Sequence, residues 1–169
     1  MTPEFRQRRE YLNARNLREE ATQKIKDYEA IMGRMNQDYD ALREVGIPCR
    51  AFLENETEEL ETILVTRQCW NHVFKHATKR QSKIEKLERA LAFPMALKLL
   101  KKTTTYQEVS REKDKGGNTY LSFAIIGYVR GNRIKVIIRK QEKNTNAKKI
   151  LYSFFQMSAA PTKKQQVKD

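Results

Sequence analysis

Residues 119–139 read TYLSFAIIGYVRGNRIKVIIR, and they predict two antiparallel strands joined by a tight turn. Residues 119–129 are a long apolar run, rich in the β-branched and aromatic side chains that are typical of strands. The next residues, RGNR, predict a tight turn in which Gly131 permits a positive φ. In residues 133–139 apolar side chains alternate with Arg133, Lys135 and Arg139. One face of this second strand is therefore predicted to be buried, and the other to carry cations.

Two more strands are predicted beside this hairpin, over residues 103–111 and 149–157. A loop with Gly116 and Gly117 precedes the hairpin, and a polar loop over residues 141–148 follows it. The four strands form an antiparallel meander.

Helices are predicted before the sheet. Thr66 is a plausible N-cap for a helix through Cys69, Trp70, Val73, Phe74 and Ala77. Ser82 and Glu85 form a capping-box pattern for the next helix, which Pro94 is expected to kink or end. Residues 48–53 suggest a short strand, and Asn55 with Glu58 suggests a capped acidic helix. Two or three helices before a four-stranded antiparallel sheet predict an α+β fold.

The N-terminal segment predicts one long helix. Residues 4–44 contain no proline and one glycine, and apolar positions recur in alternating steps of three and four, a heptad seam that Arg18 interrupts. Such a seam must pack on the rest of the chain, on a second copy as a coiled coil, or on a partner protein. Gly46 and Pro48 are expected to end the helix. The seam comprises Tyr11, Ala14, Arg18, Ala21, Ile25, Tyr28, Met32, Met35, Tyr39 and Leu42.

These patterns divide the chain into three parts. We expect residues 1–46 to form a long helical extension, residues 47–158 a basic α+β domain, and residues 159–169 a basic flexible tail. No internal repeat is evident.

Charge is distributed unevenly over the 169 residues. The formal net charge is +13, but residues 63–169 carry 24 Lys/Arg against seven Asp/Glu, a net +17. A concentrated positive field attracts polyanions, of which phosphate backbones are the usual target. The alternative is a basic surface that only confers solubility. The predicted partner is RNA or another nucleic acid, with Lys75, Lys79, Arg80, Arg130, Arg133, Lys148 and Lys149 as phosphate contacts.

Several classes of protein are excluded or disfavoured. Only 39% of residues are hydrophobic and 33% are charged, and no run approaches the roughly 20 apolar residues of a membrane span. Two cysteines, Cys49 and Cys69, give neither a disulfide framework nor a zinc quartet. The charged start lacks the apolar region of a secretory signal, so a cytoplasmic location is expected. The nucleotide-binding, zinc-protease and α/β-hydrolase motifs are absent, and no cofactor is predicted.

Two groups of side chains are candidates for chemistry. His72 and His76 are four residues apart, so they share one face of the predicted helix. They are open to three interpretations: half of a metal site that lacks further ligands, a pair without chemistry, or a general acid or base near neutral pH. On the sheet, Arg133, Lys135 and Arg139 would either form an ordinary solvated face or clamp a phosphate. Tyr152 and Ser153 add hydroxyls on the last strand.

The order of these elements resembles the PBECR nucleases. The resemblance covers residues 66–157 and lies in VTRQCWNHVFKH, in the capped helix ending at Phe93 and Pro94, and in KILYSFF. PBECR domains are small α+β members of the ribonuclease superfamily of barnase, EndoU, colicin and RelE-type toxins. That family often has a proline after the second histidine, where this chain has Ala77.

The resemblance implies a metal-independent endoribonuclease, in the manner of a toxin or a phage-related effector. It implies attack of a ribose 2′-hydroxyl on the adjacent phosphate, and a catalytic set of His72, His76, Lys135, Arg139, Tyr152 and Ser153. Two alternatives come from other classes of protein. One is a nucleic-acid-binding module without catalysis, and the other is a coiled-coil interaction protein that self-associates or recruits a partner through its N-terminal helix.

Overall fold

The computed structural model describes residues 17–53, 59–74 and 82–157. The described residues form an α+β fold, as predicted. Four α-helices occur in them, and a 3-10 turn, Ile25–Asp27, separates the first two. The helices are α1, Leu17–Gln23; α2, Tyr28–Val45; α3, Arg67–Phe74; and α4, Lys83–Lys102.

The strands form two antiparallel sheets. The larger sheet has the order β3-β4-β5-β6, which is the predicted four-stranded meander. The smaller sheet pairs β1 with β2, and Leu64, just after β2, bridges Ile150 and so joins the two sheets. The strands are β1, Ile47–Cys49; β2, Glu61–Ile63; β3, Glu108–Lys113; β4, Thr119–Val129; β5, Asn132–Gln141; and β6, Ile150–Gln156.

The long N-terminal helix and its coiled coil are not supported. The 3-10 turn interrupts the helix after α1, and α1 and α2 both pack against α4. Ala21, Met35 and Tyr39 of the seam are buried in the core, while Arg18 is exposed and pairs with Glu88. The seam therefore packs within the molecule. Tyr11 and Ala14 of the predicted seam lie outside the described residues.

Glycine ends α2 as predicted. The N–H of Gly46 donates to the carbonyl of Leu42, and its φ of 73° and ψ of −172° suit glycine far better than other residues. The chain then enters β1 directly. A strand was expected at residues 48–53, but β1 is shorter and begins one residue earlier, and the pairing with β2 was not predicted. The acidic helix expected at Asn55 and Glu58 lies outside the described residues.

Helix α4 supports the larger sheet from one side. Its capping box of Ser82 and Glu85 is present, as predicted. Pro94 neither ends the helix nor divides it, since α4 continues to Lys102. The helix packs against β4, β5 and β6. Ile134, Val136 and Ile138 are completely buried on this side of the sheet, so Lys135 and Arg139 point to the opposite side, called here the outer face.

The β4–β5 hairpin matches its prediction closely. Val129 pairs with Asn132 across a two-residue turn in which both Arg130 and Gly131 have positive φ. Positive φ at both positions gives the turn whose twist matches that of the flanking strands. The β3 strand, by contrast, begins five residues later than residues 103–111 suggested and extends two residues further.

Candidate phosphodiester site on the outer face

Four side chains form a continuous stack on the outer face: Tyr120, Arg139, Tyr152 and His72. The Arg139 guanidinium carbon lies 4.5 Å from the ring centroid of Tyr120 and 4.1 Å from that of Tyr152. The imidazole of His72 stacks on Tyr152, with the ring centroids 4.4 Å apart and an interplanar angle of 28°. The stack therefore places a fixed cation and a titratable histidine on the two sides of one tyrosine ring.

Strand register brings Tyr120 and Arg139 together. Arg139 lies opposite Ser122 of β4. Tyr120 is two residues from Ser122, so it projects from the same face one step along the strand. At this position its ring can cover the flat guanidinium.

A β-bulge brings Tyr152 to the stack. Ile138 of β5 pairs with Leu151, but its neighbour Ile137 pairs with Ser153, so Tyr152 is the extra residue of β6. Bulges of this kind re-aim a side chain, and they recur beside active sites. Helix α3 packs against β6 and supplies His72. Helix α3 begins at the predicted position, after Thr66, but the buried hydroxyl of Thr66 has no hydrogen-bond partner among the described residues.

Glu112 completes the surroundings of Arg139. Its Oε2 lies 2.9 Å from Nη2 of Arg139 and accepts a hydrogen bond of 3.1 Å from the Ser122 hydroxyl. The Arg139 side chain is only 12% exposed, whereas that of Glu112 is 47% exposed. Nε of Arg139 is buried and has no hydrogen-bond partner within the described ranges. Arg139 is thus held between two rings and a carboxylate, and its Nε–H is a buried donor that is closed off from solvent.

The other predicted catalytic residues lie apart from the stack or outside the described residues. Lys135 is on the same face of β5 but pairs with Glu108, at 3.2 Å from Nζ to Oε2. Ser153 is buried opposite Ile137. His76 lies outside the described residues. Of the six residues predicted, the structure therefore brings His72 and Arg139 each into contact with Tyr152.

The predicted phosphate contacts occupy different environments. Arg130 and Lys148 are exposed in loops, and Arg133 is half-buried in β5. Lys149 is largely buried, where it bonds both oxygens of Glu61 and lies 4.6 Å from the ring centroid of Phe52. This environment gives Lys149 a packing function between the two sheets. Lys75, Lys79 and Arg80 lie outside the described residues.

Sequence reasoning missed Glu112, Tyr120 and Ser122. The signal that could have found them is the hairpin around Gly116 and Gly117, because its register sets Glu112 opposite Tyr120. The strand was predicted over residues 103–111 rather than Glu108–Lys113, so the pairing of Glu112 with Tyr120 was not predicted.

Comparisons with protein-family models, curated proteins and solved structures found no match to this chain. The described residues contain no group of three His, Cys, Asp or Glu side chains placed to hold a metal ion. None of the described helices has the length and apolar character to cross a membrane.

Proposed function

We propose that this protein is a metal-independent endoribonuclease whose active site is the stack of His72, Tyr152 and Arg139. One observation carries the proposal: a guanidinium is fixed between two tyrosine rings, and a histidine stacks on the far side of one of them. Cleavage of RNA without a metal needs a group that transfers protons and a cation that stabilises the phosphorane. The stack supplies both groups, His72 for proton transfer and Arg139 as the cation, and each contacts the ring of Tyr152.

The proposed reaction is an internal transesterification. The ribose 2′-oxygen forms a bond to phosphorus, the bond from phosphorus to the 5′-oxygen breaks, and a proton passes from the 2′-hydroxyl to the leaving 5′-oxygen by way of acid–base groups. His72 either accepts the first proton or donates the last one, because histidine is the side chain suited to this task near neutral pH. The products are a 2′,3′-cyclic phosphate and a 5′-hydroxyl.

Arg139 is the proposed electrostatic catalyst. A planar guanidinium offers several N–H donors to phosphate oxygens, and Nη2 of Arg139 already meets a carboxylate oxygen, Oε2 of Glu112, at 2.9 Å. Its two aromatic neighbours hold it in place before substrate binds, so little reorganisation is needed during the reaction. The Tyr152 hydroxyl is proposed to orient the phosphate.

The net +17 of residues 63–169 supports RNA as the substrate, since a polyanion gains affinity from such a field. The setting we propose is cytoplasmic, where an RNA-cleaving effector of toxin or phage-related type would act. A non-catalytic RNA-binding module is the second candidate. It is favoured by the same stack, because aromatic rings and arginine planes also bind unpaired bases.

RNA cleavage in excess EDTA tests the proposal. We expect the parent protein to cleave RNA, and His72→Ala to lower the rate by about 10²- to 10⁴-fold, as loss of an acid–base residue does. His72→Phe is the matched control for packing, because it keeps a ring against Tyr152 and removes only the group that transfers protons, so its rate should fall as that of His72→Ala does. Retained RNA binding with no cleavage by the parent would support the binding module. Equal rates for the parent and His72→Ala would refute this active site.

A further inference from the structure

Two of the cations on the outer face of β5, Lys135 and Arg139, are paired with carboxylates of β3. Arg139 pairs with Glu112 at 2.9 Å, and Lys135 pairs with Glu108 at 3.2 Å. The two cations are four residues apart on one strand, which separates their Cα atoms by about 13 Å at the usual rise of a strand. The two ion pairs are therefore distinct, and each cation has its own carboxylate.

Burial differs sharply between the partners of each pair. The Arg139 and Lys135 side chains are 12% and 21% exposed, whereas those of Glu112 and Glu108 are 47% and 59% exposed. Every residue of β3 is exposed, and β3 is the edge strand of the sheet. The cations are largely buried in the sheet, whereas the carboxylates reach solvent, and Glu112 is held besides by a hydrogen bond from the Ser122 hydroxyl, which a phosphate oxygen could accept in its place. Ion pairs with an exposed partner contribute little stability, so an incoming anion can displace these carboxylates readily.

We propose that Arg139 and Lys135 are two phosphate subsites and that Glu112 and Glu108 occupy them as internal anions until a nucleic-acid strand displaces the carboxylates. A carboxylate and a phosphate share the oxygen acceptors that such cations recognise. The ligand is a single polynucleotide strand that runs along β5 with one phosphate at each cation. The inference rests on the proposed function, since it names subsites for the same RNA.

Three variants with the same change in charge test this proposal: Glu108→Gln, Glu112→Gln and the control Glu142→Gln. Glu142 pairs with Arg111, which projects from the other side of β3. The probe is a 12-nucleotide oligouridine, and its affinity is measured over a range of salt concentrations. The measurement is made in the His72→Ala background, so that cleavage does not interfere, with a thermal melt to confirm folding.

The Glu108 and Glu112 variants are expected to bind about 2- to 5-fold more tightly than the Glu142 variant, the factor expected for release of an exposed ion pair. The slope of log affinity against log salt should steepen by about one unit for each carboxylate removed. Arg139→Gln and Lys135→Gln should each weaken binding and flatten that slope by about one unit.

Equal affinities for the three glutamate variants, or no loss in the Arg139 and Lys135 variants, would overturn the two subsites. That result is separate from the test of the proposed function. If the parent protein does not cleave RNA but the Glu108 and Glu112 variants still bind more tightly, the two subsites stand and the nuclease proposal is refuted.

Discussion

Substitution of Arg139 by methionine should slow RNA cleavage by about 10²-fold or more while changing stability little. Two cation–aromatic contacts at 4.1 and 4.5 Å contribute about 0.5–1 kcal/mol each. The pair with half-exposed Glu112 adds at most about 1 kcal/mol. Against these gains, a buried donor without a partner costs about 1–3 kcal/mol, and Nε of Arg139 is such a donor. The opposing contributions nearly cancel.

Methionine also fills the space well. Its thioether contacts aromatic rings favourably, so the side chain can remain between Tyr120 and Tyr152. Glu112 keeps its hydrogen bond from Ser122 and its access to water, so no buried charge is left alone. We therefore expect Arg139→Met to change the free energy of unfolding by no more than about 1 kcal/mol. RNA cleavage should fall by about 10²-fold or more, because the cation at the phosphorane is lost.

Urea unfolding followed by fluorescence, together with the cleavage rate, checks both parts. Arg111→Met is the matched control, because it removes a cation of the same sheet that projects from the other side of β3 and pairs with Glu142. A loss of more than about 3 kcal/mol in Arg139→Met would show that the stack holds the fold together and that the opposing contributions of Arg139 do not cancel.

Two further predictions concern the fold itself. Gly46→Ala should lower the free energy of unfolding by about 2 kcal/mol or more, because φ is 73° and a Cβ would meet the side chain of Thr62 and lie 2.9 Å from the Ile63 carbonyl oxygen. The control is Gly33→Ala in α2, which should raise the free energy of unfolding by about 0.5–1 kcal/mol, because nothing lies within 4 Å of the new methyl. Equal urea midpoints for the two variants would contradict both expectations. Cys49 and Cys69 are completely buried, and burial raises the pKa of both thiols, that of Cys69 to about 12. Neither thiol should react with a disulfide reagent at pH 8 until the protein unfolds, and rapid labelling of the native protein would count against the described core.

The elements with local signals were predictable. The hairpin of β4 and β5 has a long apolar run, a glycine turn and an alternation of apolar and polar side chains, and each of these features can be recognised from a few neighbouring residues. The capping box at Ser82 is equally local. The seam of residues 11–42 was recognised as apolar, but the stepping could not show that the helix breaks at Ile25–Asp27. The break follows from packing against α4, which is a contact distant in sequence.

The candidate site was predictable only in part, for the same reason. His72, Arg139 and Tyr152 were selected by residue type, yet their contact depends on a bulge in β6 and on the packing of α3 against that strand. Neither feature has a local signature. Glu112 was missed because its significance comes from register alone: it lies on the outer face and reaches across to Arg139.

The end groups of the products formed in excess EDTA report directly on the chemistry at the stack of His72, Tyr152 and Arg139. The probe is a short oligodeoxynucleotide with one ribonucleotide, since only that residue carries the attacking 2′-hydroxyl. We expect cleavage at that nucleotide alone, with a 2′,3′-cyclic phosphate on one fragment and a 5′-hydroxyl on the other. We also expect loss of both products in His72→Ala. Cleavage at deoxy positions, or products with a 5′-phosphate, would contradict the proposed mechanism.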